Sequence, residues 1–407
     1  MLSPASHLAF LGGRLIYIFI EQHLEMKMKA FNFFNPTRIL FGKDKAENLG
    51  AELKKDCIAK VLMIAGGGSI RQNGAYADFV KTMQEHKIDF VESWGVQANP
   101  TLEKARELIE LAKRENVQAI VAIGGGSVID TAKAVASGYY LEDIWAVYQR
   151  KAVIREALPL YTILTISATG SEMNGNTVLT NTETLQKWGI GSEKIYPRLS
   201  VIDPSYQRTL PAAQTVNGAL DAIAHILEFY FMDPDACVTL GINDSLQCTI
   251  IEMTDRLLAD PQDFSARASL AWAATLALNG LSGVGLAGGD WACHQIEHSF
   301  SALHPRIAHG AGLGVIFPAW IEFMAERQPA VFNRWAKNVW GASGISEAVM
   351  LFRDKIKAWG SPTNLRELGI SESDIPLLVE KSMIAPRLGA LSRFTASDVE
   401  ALLMLAF

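Results

Sequence analysis

Residues 119–136 read AIVAIGGGSVIDTAKAVA. The apolar run from Ala119 to Ile123 has the length and content of a buried strand, and the glycines that follow end it. From about Val128 the apolar residues recur with helical period. A strand that stops on glycines and opens into a helix gathers backbone N–H groups and the positive helix terminus at one point, where a phosphate is readily held. The tetrad Gly124-Gly125-Gly126-Ser127 is neither a G-x-G-x-x-G fingerprint nor a Walker A loop, which needs a GK[ST] ending. A plain strand–helix turn would explain one such tetrad. A second, Gly66-Gly67-Gly68-Ser69, follows the apolar run VLMIA at 61–65, and Asp130 stands three residues past Ser127. Two tetrads in one sheet favour nucleotide binding over turn-making.

Outward from these loops the first half alternates strand and helix patterns. VLMIA (61–65), FVESWG (90–95), AIVAI (119–123), LPLYTILT (158–165) and LSVIDP (199–204) read as strands. Residues 74–87 and 101–117 read as helices. Alternation of this kind predicts an α/β domain with a mainly parallel sheet. After Pro211 the pattern is helical throughout: LPAAQTVNGALDAIAHILEFYF, residues 239–258, RASLAWAATLALNG, and the runs 314–340 and 345–358. An all-α second domain is expected, so the chain divides into 28–210 and 211–407.

Five of the eight histidines fall between His225 and His309. Asp221 and His225 are four residues apart in a predicted helix, which puts both on one face. His294, His298, His304 and His309 follow in WACHQIEHSFSALHPRIAHGAG. A carboxylate with several imidazoles suits one divalent transition metal, and Fe²⁺ and Zn²⁺ fit such ligands equally. Taken singly, His298 and His304 are as well explained as structural histidines. His294-Gln-Ile-Glu297-His298 also fits the H-x-x-E-H zinc-peptidase signature, but a peptidase leaves the glycine loops without a use.

The acidic or 2′-phosphate end of a dinucleotide is read by the loop after the first strand. Here that loop holds Ser69 and Arg71 and no carboxylate before Asp78, which favours NADP(H) over NAD(H). The loop LTISATGSEMNGN (164–176), rich in hydroxyls and amides, is a third candidate for polar contacts.

The 407 residues are 49% hydrophobic and 20% charged with net charge −6, which suits a well-buried two-domain protein and argues against a nucleic-acid partner. Four scattered cysteines predict reduced, mostly buried thiols in a cytoplasmic protein. The apolar stretch HLAFLGGRLIYIFI (7–20) is short for a membrane span and carries Arg14. Residues 1–27 are therefore expected to be an extension outside the fold, with no membrane association.

With these residues in view the chain resembles the iron-containing (group III) alcohol dehydrogenases, most closely the branch of butanol dehydrogenases and NADPH-dependent aldehyde reductases. The matching stretches include FNFFNPTRILFGK, AIGGGSVIDTAKAVA, LTISATGSEMNGN, TLPAAQTVNGALDAIAHILE and WACHQIEHSFSALHPRIAHGAGLGVIFPAW. The resemblance implies an α/β dinucleotide-binding domain followed by a helical metal-binding domain, the architecture of dehydroquinate synthase, and a homodimer acting on a primary alcohol or small aldehyde. By position it implies Asp221, His225, His294 and His309 as metal ligands, with Asp221 and His225 part of the catalytic centre. His298 would lie beside the nicotinamide as a proton relay. Gly125, Gly126, Ser127 and Asp130 would hold the pyrophosphate and the nicotinamide side, and Gly67, Gly68, Ser69 and Lys187 the adenosine end. Thr165 and Asn174 would line the cleft. The segment before His309 is one residue longer than the family pattern, which leaves His304 as a second candidate for that ligand. A dehydroquinate synthase-like lyase or a glycerol dehydrogenase-like enzyme using NAD is the alternative reading.

Overall fold

A computed structural model of the chain describes residues 7–11, 14–18, 28–327, 329–384 and 387–407. The expectation for residues 1–27 falls largely outside these. Within that stretch β1 (His7–Leu11) pairs antiparallel with β2 (Arg14–Ile18).

The first half contains β3 (Arg38–Phe41), β4 (Lys60–Ala65), β5 (Asp89–Ser93), β6 (Ala119–Gly124), β7 (Leu160–Leu164), β8 (Asn176–Asn181), β9 (Gln186–Gly191) and β10 (Leu199–Ile202). β8 and β9 form an antiparallel hairpin. The other six make one sheet in the order β3-β10-β7-β6-β4-β5, with every neighbouring pair parallel. Alternate residues of the central strands serve opposite faces, as the strand period of two requires. Val61, Met63, Val121 and Ile123 pack with α1 (Leu49–Lys55) and α2 (Ala75–Glu85). Leu62, Ile64, Ile120 and Ala122 pack with α3 (Leu102–Arg114) and α4 (Gly126–Gly138), which the short α5 (Trp145–Tyr148) follows. Because both faces are covered, these strands read as continuous apolar runs.

The strand order reverses between β4 and β6: the chain steps from β4 out to β5, then crosses back to β6. In open parallel sheets ligands bind outside the carboxyl ends of the strands at such a reversal. Both GGGS loops sit there, one after each strand.

β10 ends at Ile202, and the first helix of the second half begins at Ala212. That half comprises α6 (Ala212–Tyr230), α7 (Cys237–Ala259), α8 (Phe264–Ala277), α9 (Ala292–Leu303), α10 (His309–Ala325), α11 (Pro329–Trp340), α12 (Ile345–Ala358), α13 (Ile375–Ser382) and α14 (Ala396–Leu405), with no strand among the described residues. The expected run 314–340 is broken between α10 and α11. α10 is buried from Gly310 to Ile321 and touches α6, α9, α11, α12 and α14, so it is the axis of this half.

One expectation needs correction here. Cys57, Cys237 and Cys248 are exposed, and only Cys293 is buried. Cys57 occupies a left-handed turn after α1, and Cys237 opens α7, so position in the chain outweighs the apolar character of the thiol. His304 is not drawn into the histidine cluster. It ends α9, a third exposed, with Nε2 3.8 Å from Asp374.

Candidate metal centre and cofactor cleft

Asp221 and His225 lie one turn apart on α6, His294 on the first turn of α9, and His309 at the first residue of α10. Three helices therefore aim their polar side chains at one point inside an apolar bundle. The Asp221 Oδ1 atom is 3.7 Å from His309 Nε2, 4.0 Å from His294 Nε2 and 3.7 Å from His225 Nδ1. Ligands about 2.1 Å from a tetrahedral ion would stand roughly 3.4 Å apart, so only small adjustments separate these atoms from coordination. Ligand atoms of Asp221, His294 and His309 all lie within 4.8 Å of one another. The His225 ring stacks on that of His294 with centroids 4.7 Å apart.

The site also passes a test of satisfaction. Asp221 Oδ1, His225 Nδ1 and His294 Nε2 are buried without any hydrogen-bond partner. Buried polar atoms left unpaired cost roughly 1–3 kcal/mol each, so three converging on one point call for a shared cation. Burial, and then the neighbouring imidazoles, hold His225 far below the usual histidine range, which keeps it neutral as a ligand must be. Burial raises Asp221, against the pull of His309 and His294. The residues present fit a divalent metal.

Behind two of the imidazoles stand carboxylates. Glu228 accepts from both the backbone N–H (3.1 Å) and Nδ1 (2.7 Å) of His294, which leaves Nε2 facing the site. Glu297 does the same for His309 through Nδ1 and is fully buried. Such partners fix the tautomer and the angle of a ligand. Burial alone would raise Glu297, but His309 and then Lys187 outweigh it and hold the carboxyl below its ordinary range. The role this gives Glu297 excludes the H-x-x-E-H reading: its oxygens face His309, Ser301 and Lys187, and none is free to activate water. Gly312 makes room for it, since a Cβ there would lie 2.7 Å from Glu297 Cγ. Sequence alone gives Glu228 no role and Glu297 only the one implied by the H-x-x-E-H motif. Glu228 had a signal, because it continues the helical face of Asp221 and His225 at the next turn.

Glu228 also accepts from the backbone N–H of Trp291, a bulky residue held in the left-handed region at φ 61°. Such a conformation persists only where its surroundings impose it. It lays the indole 5.3 Å from the His294 ring and against Phe229. The preceding Asp290 receives two backbone N–H groups from Ala390 and Leu391 at 2.6 Å each. Burial, and then Glu228, push its carboxyl up to about 6. A raised value means that its contribution to stability is complete below its ordinary range and is lost as pH rises through about 6. Asp290→Asn keeps the acceptor oxygen and removes the charge. Relative to the unchanged protein, the variant should gain about 2 kcal/mol between pH 4 and pH 7, read from urea unfolding of the metal-free protein. An equal pH slope in both proteins would show that Asp290 does not titrate in this window.

His298 faces the same cleft, with its ring 5.4 Å from that of His309. Burial, followed by Lys187 and His309, keeps it neutral.

The cofactor loops differ in kind. Gly68 has φ 111°, which demands glycine, and a Cβ at Gly67 or Gly68 would meet nothing within 4 Å, so this loop borders open space. Ser69 and Arg71 are exposed beside it. Gly125 and Gly126 open α4, and a Cβ at Gly126 would strike Thr169 at 2.5 Å. The Thr165 N–H donates to Gly124 O at 3.0 Å, tying the 164–176 loop to the same point, and Ser127 is half-buried there.

Three of the residues named by the resemblance have protein partners of their own. The Asp130 carboxylate accepts from Ser171 Oγ (2.6 Å) and Val178 N (2.9 Å), on the buried side of α4. The Asn174 amide is engaged by Gly170 O, Lys133 Nζ and Asn176 N. Both side chains are tied to the 164–176 loop and its neighbours. Lys187 is not at the adenosine end: Nζ lies 3.1 Å from Ser301 Oγ and 3.6 Å from Glu297, beside the histidines. Its place on β9, in a hairpin that contacts α9, carries it there.

Comparison with known proteins agrees with this architecture. The family model "Iron-containing alcohol dehydrogenase" matches residues 36–204, and "Fe-containing alcohol dehydrogenase family, C-terminal" matches 215–407. NADH-dependent butanol dehydrogenase A of Clostridium acetobutylicum is 36% identical over 91% of this chain and 98% of its own length. NADPH-dependent aldehyde reductase YqhD of Escherichia coli is 34% identical over 87% of this chain and 93% of its own. The crystal structure of NADH-dependent butanol dehydrogenase A from Thermotoga maritima superposes with a TM-score of 0.92 at 46% identity, covering 93% of this chain and 99% of that one.

Proposed function

From the premise that the chain belongs to the iron-containing alcohol dehydrogenase family and is an NAD(P)-dependent oxidoreductase, we propose that it interconverts small aldehydes and primary alcohols with NADP(H). The observation that carries the reading is the convergence of Asp221, His225, His294 and His309 beside glycine loops at the sheet's reversal point. The bound divalent ion would supply Lewis-acid polarisation of the substrate oxygen. Asp221, His294 and His309 would hold it, with His225 closing the set. Glu228 and Glu297 keep two of those imidazoles aimed.

His298 is neutral and adjacent. In the oxidising direction it is placed to accept the proton of the alcohol, and in the reducing direction to pass one to the carbonyl oxygen. Ser127 and the N-terminus of α4 would hold the pyrophosphate. Trp291, with Phe229 behind it, gives the metal side an apolar wall suited to an alkyl chain.

Preference for NADP(H) is supported by Arg71. Its guanidinium lies 4.3 Å from the Trp94 ring centroid and 5.1 Å from that of Tyr76. Glu92 fixes both rings, accepting from Tyr76 Oη and from Trp94 Nε1. The nearest acid along the loop, Asp78, is engaged by Tyr206 Oη at 2.6 Å. The cation is thus held ready beside the open loop, and the carboxylates of Asp78 and Glu92 are each engaged by protein donors.

The test is net oxidation of NADPH and of NADH with butanal, on protein loaded with Fe²⁺ or Zn²⁺. Arg71→Ala should lower kcat/KM for NADPH about 10- to 100-fold, the worth of a charge-assisted hydrogen bond, and leave NADH within about twofold. Equal loss with both cofactors would remove Arg71 from the specificity argument. No net oxidation with either would favour a cofactor-recycling lyase. The free thiols, three of them exposed, suit a reducing compartment, and we place the protein in the cytoplasm.

A further inference from the structure

The left-handed backbone at Trp291 is unfavourable for so large a residue, and several features of the fold hold it there. One oxygen of the Glu228 carboxylate accepts from the Trp291 N–H, and the other accepts from His294. A single side chain thus fixes both a candidate metal ligand and the residue that carries the indole. The Asp290 N–H donates to Glu228 O at 2.9 Å, a second tie between α6 and the stretch before α9. Gly288, at φ 98°, turns the chain, and Gly289 leaves room for the ring. A Cβ at Gly289 would lie 2.5 Å from the indole Nε1, 2.9 Å from Cε2 and 3.2 Å from Phe229 Cε1. Gly283 does the same for Phe229, since a Cβ there would lie 2.8 Å from Phe229 Cε1. The indole meets Phe229 edge-on at 5.4 Å, and its centroid stands 5.3 Å from the His294 ring and 6.5 Å from the His225 ring. Trp291 remains partly exposed.

We propose that Trp291 is a specificity-determining residue that restricts the substrate to aldehydes unbranched at the carbon next to the carbonyl. The restriction deepens the aldehyde–alcohol reading above and rests on it. A carbonyl oxygen placed at the ligand cluster brings its first two carbons alongside the same imidazoles that flank the indole. The ring therefore confronts those carbons and not the far end of the chain. A branch at the second carbon meets a wide, flat side chain whose retreat is closed by Phe229 and the Gly289 backbone. Selection of this kind works by a clash built against the wrong substrate. One methylene too many or too few in an apolar pocket is worth about 10- to 200-fold in kcat/KM.

The test compares the unchanged protein with Trp291→Ala and Gly289→Ala, full-length and loaded with Zn²⁺. Reduction of acetaldehyde, butanal and 2-ethylbutanal is followed with NADPH and with NADH. Binding is read apart from turnover, by calorimetry of butyramide and 2-ethylbutyramide, unreactive amides of matching shape. In Trp291→Ala the kcat/KM ratio of 2-ethylbutanal to butanal should rise about 10- to 100-fold, and the amide affinities should shift in the same order. Gly289→Ala should act in the opposite sense. Its added methyl drives the indole off Gly289 and toward the imidazoles, so the ratio of butanal to acetaldehyde should fall about tenfold. That change displaces only the far end of a side chain, so it stays informative if Trp291→Ala fails to fold. Ratios and amide preferences that stay equal across the proteins, even where overall activity falls, overturn the restriction and leave Trp291 as packing for the imidazoles. If the unchanged protein oxidises neither cofactor with any of the three aldehydes, the aldehyde reading fails first, and the restriction falls with it.

Discussion

His225→Ala is expected to abolish stoichiometric metal binding and to lower kcat/KM for aldehyde reduction by roughly a thousandfold, the rate equivalent of about 4 kcal/mol of lost electrostatic stabilisation. The imidazole is buried on α6, its Nδ1 3.7 Å from Asp221 and without a partner. Truncation leaves a small apolar hole beside Asp221 and removes the ring stacked on His294. Metal analysis of the purified variant and steady-state kinetics with NADPH and butanal check both halves of the expectation. His304→Ala serves as the comparison. That side chain is partly exposed near Asp374, so metal content and turnover should match the unchanged protein. A His225→Ala protein with full metal and full turnover would show that the ligand set is wrong, and a loss in His304→Ala would point to the longer turn as the source of the fourth ligand.

Gly310→Ala should be almost as damaging, by a different route. A Cβ at Gly310 would lie 2.0 Å from the carbonyl oxygen of Asn217 and 2.7 Å from its carbonyl carbon. These are backbone atoms in the middle of α6 and cannot rotate aside. The whole of α10 must move away from α6, and a shift of that kind costs about 3 kcal/mol in a packed core. His309 precedes Gly310, and Asp221 lies one turn beyond Asn217. The displacement therefore opens the distance that a metal must bridge. Urea unfolding and metal content should both fall. Gly241→Ala is the contrasting change: it lies in α7 with nothing within 4 Å of the added carbon, and should be neutral or stabilising by about 0.5–1 kcal/mol. Equal stability of the two variants would show that the α6–α10 approach has slack.

The parallel sheet was legible because covered strands are apolar on both faces. VLMIA, AIVAI and LPLYTILT stand out from the amphipathic helices between them, and the strands lie at 60–65, 119–124 and 160–164. The β8–β9 hairpin was not legible. NTVLTN and QKWGIG mix polar residues, glycine and single apolar ones, and their pairing is fixed by packing on α4 and α9. The short β3 escaped for a similar reason, being four residues at the sheet's edge. Within the site, the four ligands were visible as residue types at helical spacing. What holds them was less so. Glu297 carried a motif that pointed to the wrong chemistry, and the left-handed Trp291 has no local cause, since Glu228 and the Phe229 ring impose it from another helix. The placement of Lys187 shows the same limit. Its distance along the chain says nothing of which end of the cleft a hairpin will lean over.

The ligands come from α6, α9 and α10, points that are remote along the chain between Asp221 and His309. In polymer terms, an ion held by all of them is a cross-link confined to the folded state. A ligand that binds the folded form alone stabilises it by about 2.7 kcal/mol at a free concentration a hundredfold above its Kd. The gain falls on one half of the molecule, because the sheet and its flanking helices have cores of their own. Chelation should therefore split a single melting transition into two, with the helical half unfolding first, and the gap between them would report metal occupancy in a protein that is not turning over.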